Sequence, residues 1–432
     1  MRGMRTLLSI SLLTAATAVQ CRGEEWPKWL GPNGNNISTE PIASAWPAEG
    51  PRKLWEQKVG YGYASPIAMD GKVYLFYQTG TQDTLTAFDA GSGKPLWSQA
   101  YTCGTKADRV NNKNPDNDLP VVLATPTIDH GKIFSYGAGG DLVCRKLEDG
   151  SQLWAINILH TLNSKILGWA QASSPLVTDK YVYVQSGDGG PTAVAVDRET
   201  GKIAWKSEAQ TYGGYAAPVL IDVKGTPVLI VFGGEQCYGM DPKTGKTYWS
   251  VPFENRPKVS AATPVYHDGH LFIACDYVRT PGTCLMLSLS GKTAKTEWEN
   301  SNIAQKFQPG VLDNGHYYTN SEGTLKCMQW PSGKIMWENN LRLGSGGSVV
   351  RDGDKLIVMG ERGKLYLIQA TPQTNKVISQ VQLFDFSQTW SSPLIYRGRL
   401  YCMGKDNLVC LDIGDHEVIV PERETLTSKP AN

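Results

Sequence analysis

"AVDRETGKIAW", residues 195–205, decides how this chain folds. A short apolar run enters Asp197, turns at Thr200 and Gly201, and leaves through Trp205. The phrase returns as "AFDAGSGKPLW" (87–97), "GMDPKTGKTYW" (239–249) and, without the aspartate, "CMQWPSGKIMW" (327–337). Recurrence at intervals of tens of residues marks a repeated structural unit. Within the unit, Asp89, Asp197 and Asp241 are expected to accept N–H groups of the turn, and Gly201 and Gly245 to take the positive φ it requires. Trp97, Trp205, Trp249 and Trp337 are expected on the following strand, packed against the neighbouring unit.

A second phrase lies upstream of the first. It reads "ASPIAMDGKVY" (64–74), "ATPTIDHGKIF" (124–134), "SSPLVTDKYVY" (173–183), "AAPVLIDVKG" (216–225), "ATPVYHDGHLF" (262–272) and "SSPLIYRGRLY" (391–401), with degenerate copies "QPGVLDNGHYY" (308–318) and "GGSVVRDGDKLIV" (346–358). Eight copies make eight units. Each unit reads as four strands: small-small-Pro opens the first, a Gly-rich turn leads to the alternating second, and the opening phrase joins the third to the fourth. Eight four-stranded units predict an all-β, eight-bladed propeller of antiparallel blades. Trp55 precedes the first small-small-Pro phrase, and the last unit, "LVCLDIGDHEVIV", has no Trp. The strand around Trp55 is therefore expected to complete the last blade and close the ring, removing a free sheet edge.

Composition agrees with this. Forty-five Gly, 19 Tyr and 13 Trp, with only 19% charged residues, favour short strands joined by turns. With 42 basic and 41 acidic residues the chain carries no electrostatic footprint for nucleic acid or an anionic membrane. Arg2 and Arg5, the apolar run Leu7 to Val19 and Ala-Thr-Ala at 16–18 have the layout of an export signal, shorter than a bilayer span. The expected division is a signal peptide at 1–18, an extension at 19–52, the propeller at 53–415 and a tail at 416–432. Gln20 ahead of Cys21 fits a lipid-attachment signal badly, so an exported, unanchored monomer is expected in the periplasm or cell envelope.

Cys275 with Cys284, or Cys402 with Cys410, could bridge across a hairpin in an exported chain. Cys144, Cys327 and Cys410 occupy the position of Ala195 in the opening phrase and read as buried, small hydrophobes. No Cys and His spacing suits a zinc site. Two stretches exceed the repeat, the polar loops 103–119 and 160–171. The first holds Asp108, Asp116 and Asp118, whose spacing matches no EF-hand.

At the two recurring phrases the chain resembles the PQQ-like β-propeller repeat family, over about residues 55–415. The opening "WPKWLGPNGNNIS" (26–38) and "YGGYAAPVLIDVKG" (212–225) resemble a subgroup of exported, PQQ-binding-like propellers. The resemblance implies either a quinoprotein dehydrogenase, with calcium and pyrroloquinoline quinone held near the axis, or a non-enzymatic member such as the assembly lipoprotein BamB. No adjacent cysteines supply the vicinal disulfide of the dehydrogenases, and the residues ahead of the inner strands (Tyr63, Leu123, Ala172, Tyr215, Ala261, Phe307, Ser345, Trp390) carry no charge. Tyr63, Tyr215, Phe307 and Trp390, with Trp169 nearby, form an expected aromatic mouth that either binds a flat ligand or apolar peptide, or simply plugs the channel. Lys306, Lys258 and Arg256 are candidate cations beside it. No catalytic or metal-ligand set can be assembled, so the expected function is a binding or assembly platform for a protein, small molecule or glycan. The alternatives are a quinone-dependent alcohol or sugar dehydrogenase and a carbohydrate-binding propeller. The mass of the exported protein should correspond to a chain beginning at Val19; a mass that retains residues 1–18 would contradict the signal.

Overall fold

The computed structural model describes residues 24–103, 120–255, 257–277, 282–385 and 388–415. The 104–119 segment with its three aspartates, Arg256, Cys21 and the 1–18 and 416–432 segments lie outside them. Alternating apolar residues and Gly-led turns produce eight antiparallel four-stranded blades arranged as a propeller, one of them extended by a short fifth strand that pairs in parallel. Blade 1 is typical: Ile67–Met69 innermost, then Lys72–Thr79 and Gln82–Asp89, with Pro95–Thr102 outermost. Its middle strands are buried along nearly their whole length because neighbouring blades cover both faces, while the outer strand alternates.

The closing strand is the expected one. Lys53–Lys58 pairs antiparallel with Asn407–Asp412, placing Trp55 opposite Cys410 as the fourth strand of the last blade. In the same register Trp154 faces Cys144, Trp337 faces Cys327 and Trp205 faces Ala195. A cross-strand indole leaves room only for a small partner, which explains the three cysteines. Burial pushes their thiols up, to about 12 for Cys144 and Cys410 and about 11 for Cys327, so they act as inert hydrophobes. The anticipated disulfides are a correction. Cys284 pairs with Ala274 and Cys402 with Val409, so the members of each candidate pair sit one register step apart and point to opposite faces.

The Asp-Gly turn works across blades. Asp197 Oδ1 accepts the Thr200 N–H at 2.9 Å and its hydroxyl at 2.7 Å, and the Gly201 N–H donates to the Asp197 carbonyl at 2.9 Å. The indole lying on this turn is Trp154 of the preceding blade, whose Nε1 donates to the Arg198 carbonyl at 2.9 Å. The arrangement repeats with Trp55 on Ala90, Trp97 on Leu147, Trp205 on Pro242, Trp298 on Pro331 and Trp337 on Thr371. A Cβ at Gly201 would lie 2.8 Å from Trp154, and one at Gly245 2.4 Å from Trp205, so glycine is required by contact as well as by φ values of 71° and 74°. Trp249 departs from the pattern: the next blade replaces the long turn with the tight Ser290 to Thr293 link, and the Trp249 Nε1 is buried without a partner among the described residues. In every blade the outer strand carries a bulge, next to the Trp where one is present; the unpaired Leu96 and Leu153 are consequently 47% and 42% exposed.

The small-small-Pro phrase also links blades. The Ser392 N–H donates to Ser65 Oγ at 2.8 Å, Ser65 N–H to Thr125 Oγ1 at 3.0 Å, and Thr125 N–H to Ser174 Oγ at 2.9 Å. A hydroxyl before proline thus satisfies an inner-strand donor of the preceding blade. The 24–52 segment adds a second closure. Trp26 bridges Ala68, Pro27 accepts from Ile128, Ile37–Ser38 pairs in parallel with Arg351 and Asp352, and Ile42 bridges Gly414. It passes across the end of the ring where the inner strands finish.

Between blades 1 and 2, Asp83 is fully buried beside Tyr101 and Gly137. Burial, helped by the Asp141 carboxylate, pushes its carboxyl up to about 7. A carboxyl raised in the folded state favours folding at low pH and loses that contribution as pH climbs through its folded value. Denaturation of Asp83→Asn against wild type should therefore shift in the variant's favour as pH rises from about 4 to about 7, by up to about 1.4 kcal/mol per pH unit; a gap independent of pH would contradict the assignment. Gly245→Ala should cost more than about 2 kcal/mol in wild type but only about 1 kcal/mol in a Trp205→Ala background, where the strained φ remains and the clash is gone. Equal costs in both backgrounds would show that the indole contact is not the constraint.

Candidate functional site: the channel mouth

Residues just ahead of the inner strands converge on the axis because each blade begins there. Tyr63, Trp169, Tyr215, Phe307 and Trp390 all border one cavity of about 100 Å³. Two aromatic groups face each other across it. On one side Trp390 lies 4.6 Å from the Tyr63 ring and 4.8 Å from Phe307, centroid to centroid. The Trp390 indole N–H donates to Glu361 Oε1 at 2.7 Å, and the Tyr63 hydroxyl donates to Gln388 at 2.9 Å. On the other side the Tyr215 hydroxyl accepts the Trp169 N–H at 3.2 Å and the Tyr212 hydroxyl accepts the Gly168 N–H at 2.9 Å. Burial raises the Tyr63 and Tyr215 hydroxyls above the ordinary tyrosine range, so both stay neutral.

The 160–171 stretch, expected to be a polar loop, is a packed element. Ile158–Leu162 forms a short helix capped by the Asn157 side chain, which accepts the His160 N–H at 2.8 Å, and Leu159, Leu167 and Ala170 are buried beyond it. That packing carries Trp169 to the mouth. Ser345 is not part of the wall. The next residue, Gly346, packs against Trp390, where a Cβ would meet the ring at 2.3 Å. Lys306 covers Phe307 and Trp390 at 5.1 and 5.6 Å, and Lys258 pairs with Glu235 at 2.9 Å while lying over Tyr212.

The residue that sequence reasoning missed is Trp29. It reaches the same cavity from the N-terminal segment, and its Nε1 donates to Thr263 Oγ1 at 3.0 Å. The signal was present in the paired Trp26 and Trp29 of "WPKW", but nothing in a repeat pattern says where an extension crosses a ring. Trp29 thus adds a contact from outside the blades to the wall, beside the small-small-Pro residues Thr125, Ser174 and Thr263 that share the cavity.

The wall does not fit a quinone with calcium. Calcium takes six to eight oxygens, usually including carboxylates, and among the described residues no acidic one borders the cavity. About 100 Å³ is also well below the roughly 300 Å³ at which ligand pockets begin. Among the described residues no cluster of His, Cys, Asp and Glu could hold a metal ion, and no helix is long and apolar enough to cross a membrane.

Comparison with known proteins agrees with the fold. The chain is 22% identical over 370 residues to an outer membrane protein assembly factor BamB from Moranella endobia, covering 74% of this chain and 90% of the relative. Among solved structures, BamB from Moraxella catarrhalis superposes with a TM-score of 0.60 at 15% identity, covering 85% of this chain and 98% of that one. Quinohemoprotein alcohol dehydrogenase from Comamonas testosteroni gives 0.64 at 12% identity, covering 93% and 82%. At these identities the structures speak for the propeller alone. The family profile described as outer membrane protein assembly factor BamB matches residues 82–329 and 321–417, most of the chain, and the protein belongs to that PQQ-like propeller family.

Proposed function

We propose that this protein is an exported, non-catalytic platform that serves outer-membrane protein assembly through protein partners. The observation that carries the reading is the channel wall: rings, small aliphatic side chains, hydroxyls and one amide, that of Gln308, surround the cavity, with no carboxylate among the described residues to act as base or to hold a metal. Family membership supports it, since the relatives that share the chain's length are named as assembly factors. The repeat words support it as well, because their aspartates, glycines and tryptophans are consumed in holding blades together.

Deletion of the gene should lower the amount of folded, heat-modifiable β-barrel protein in the outer membrane, and the wild-type chain supplied in trans should restore it. Unchanged barrel levels in the deletion strain would overturn the reading.

A further inference from the structure

The turn at 137–140 joins the second and third strands of blade 2, and its two sides have different neighbours. On one side are Asp83 and Tyr101 of blade 1, opposite each other in the strand register. A Cβ at Gly137 would lie 2.3 Å from the Tyr101 hydroxyl and 2.6 Å from Asp83 Oδ2, so the turn's backbone rests directly on this pair. The other side carries the 158–171 element. The Gly140 carbonyl accepts the Ile158 N–H at 2.8 Å and the Ala138 carbonyl accepts the Gln171 N–H at 3.1 Å, so both ends of the element hang from the turn. The capping residue Asn157 donates to the Gly139 carbonyl at 3.1 Å and to Asp141 Oδ1 at 2.9 Å. Between these anchors Trp169 reaches the mouth, followed by the buried Ala170 at a φ of 66°. A non-glycine residue keeps that left-handed conformation only while its surroundings hold it.

The groups facing Asp83 are the Tyr101 hydroxyl and the Gln78 amide on its own blade, and the Ala138 backbone and Asp141 carboxylate on blade 2, while Cys103 and Arg145 act on the Tyr101 hydroxyl. The Gln78 Nε2 is already given to the Pro120 carbonyl at 2.8 Å. No cation among the described residues pairs with Asp83, and Asp141 is a like charge. A carboxylate formed there is relieved by water, and lifting the 137–140 turn admits it.

We propose that the 137–140 turn is a pH-sensitive hinge: the proton on Asp83 keeps the 158–171 element docked, and its loss loosens the element and frees Trp169 from the mouth. The elevated value of the carboxyl, about 7, sets the range. A group whose value is higher in the docked state favours docking at low pH, and that contribution is lost as pH rises from about 4 to about 7. The mouth is therefore held more firmly in acid than at neutral pH. Nothing in this depends on the platform reading, so either can fail without the other.

Hydrogen exchange of the purified protein, read by mass spectrometry and corrected for the intrinsic effect of pH, tests the hinge. Peptides covering 158–171 are compared with the blade 5 strand His270–Ala274. Protection of 158–171 should fall by up to about tenfold per pH unit between about 5 and 7 and level off above, with the blade 5 strand remaining better protected throughout. Asp83→Asn should keep 158–171 protected across the range. If that variant fails to fold, the wild-type profile still decides. A flat profile at 158–171 overturns the proposal, as does a pH response that survives in Asp83→Asn. Exchange of both regions at one common rate places the response in global unfolding and overturns the hinge.

Discussion

At six of its eight junctions one blade is held to the next by the same contact, an outer-strand indole lying on the turn between the third and fourth strands of its neighbour and donating its N–H to a turn carbonyl. Six of the seven tryptophans in the outer-strand series make it. The contact explains several features that look independent in the sequence. The turn glycine has no Cβ because an indole lies where one would be. The turn aspartate ties down N–H groups so that the carbonyl faces the neighbour. The residue across the strand from the Trp is Ala, Cys or Gly in six of the seven pairs because the ring fills the space. Where the turn is shortened after blade 4, the Trp249 N–H loses its acceptor, and the exception shows what the turn supplies.

Closure follows from the same contact. Trp55 begins the series and rests on the blade 1 turn at Ala90, while its strand completes blade 8. The ring is therefore locked by the same contact that joins blades at five other junctions. The 24–52 segment then crosses the finished ring, and Trp29 from it joins the wall of the axial cavity.

The fold was legible because repeats announce themselves: eight small-small-Pro phrases, a Trp ladder and an unmatched Trp55 define eight blades and their closure. The aromatic residues of the mouth were legible too, since position ahead of an inner strand locates a side chain near the axis. Direction between blades was not. The phrase 195–205 contains both Gly201 and Trp205, yet Gly201 receives Trp154 and Trp205 leaves for Gly245, a pairing set by ring geometry that no local pattern encodes. The hydroxyl relay through Ser65, Thr125 and Ser174 was hidden for the same reason, since each hydroxyl serves the preceding blade. The cysteine pairs failed on register, where a shift of one residue reverses the face. Trp29 was invisible because it belongs to no repeat.

The central claim is the proposed one, a non-catalytic propeller whose axial cavity is walled by aromatic residues and bordered by Trp29. The most direct measurement is titration of the purified protein with pyrroloquinoline quinone and calcium, following quinone absorbance and the thermal midpoint, with a dye-linked assay on simple alcohols and sugars. The account predicts no saturable binding, no rise in midpoint and no turnover. Saturable binding accompanied by substrate-dependent dye reduction would contradict it.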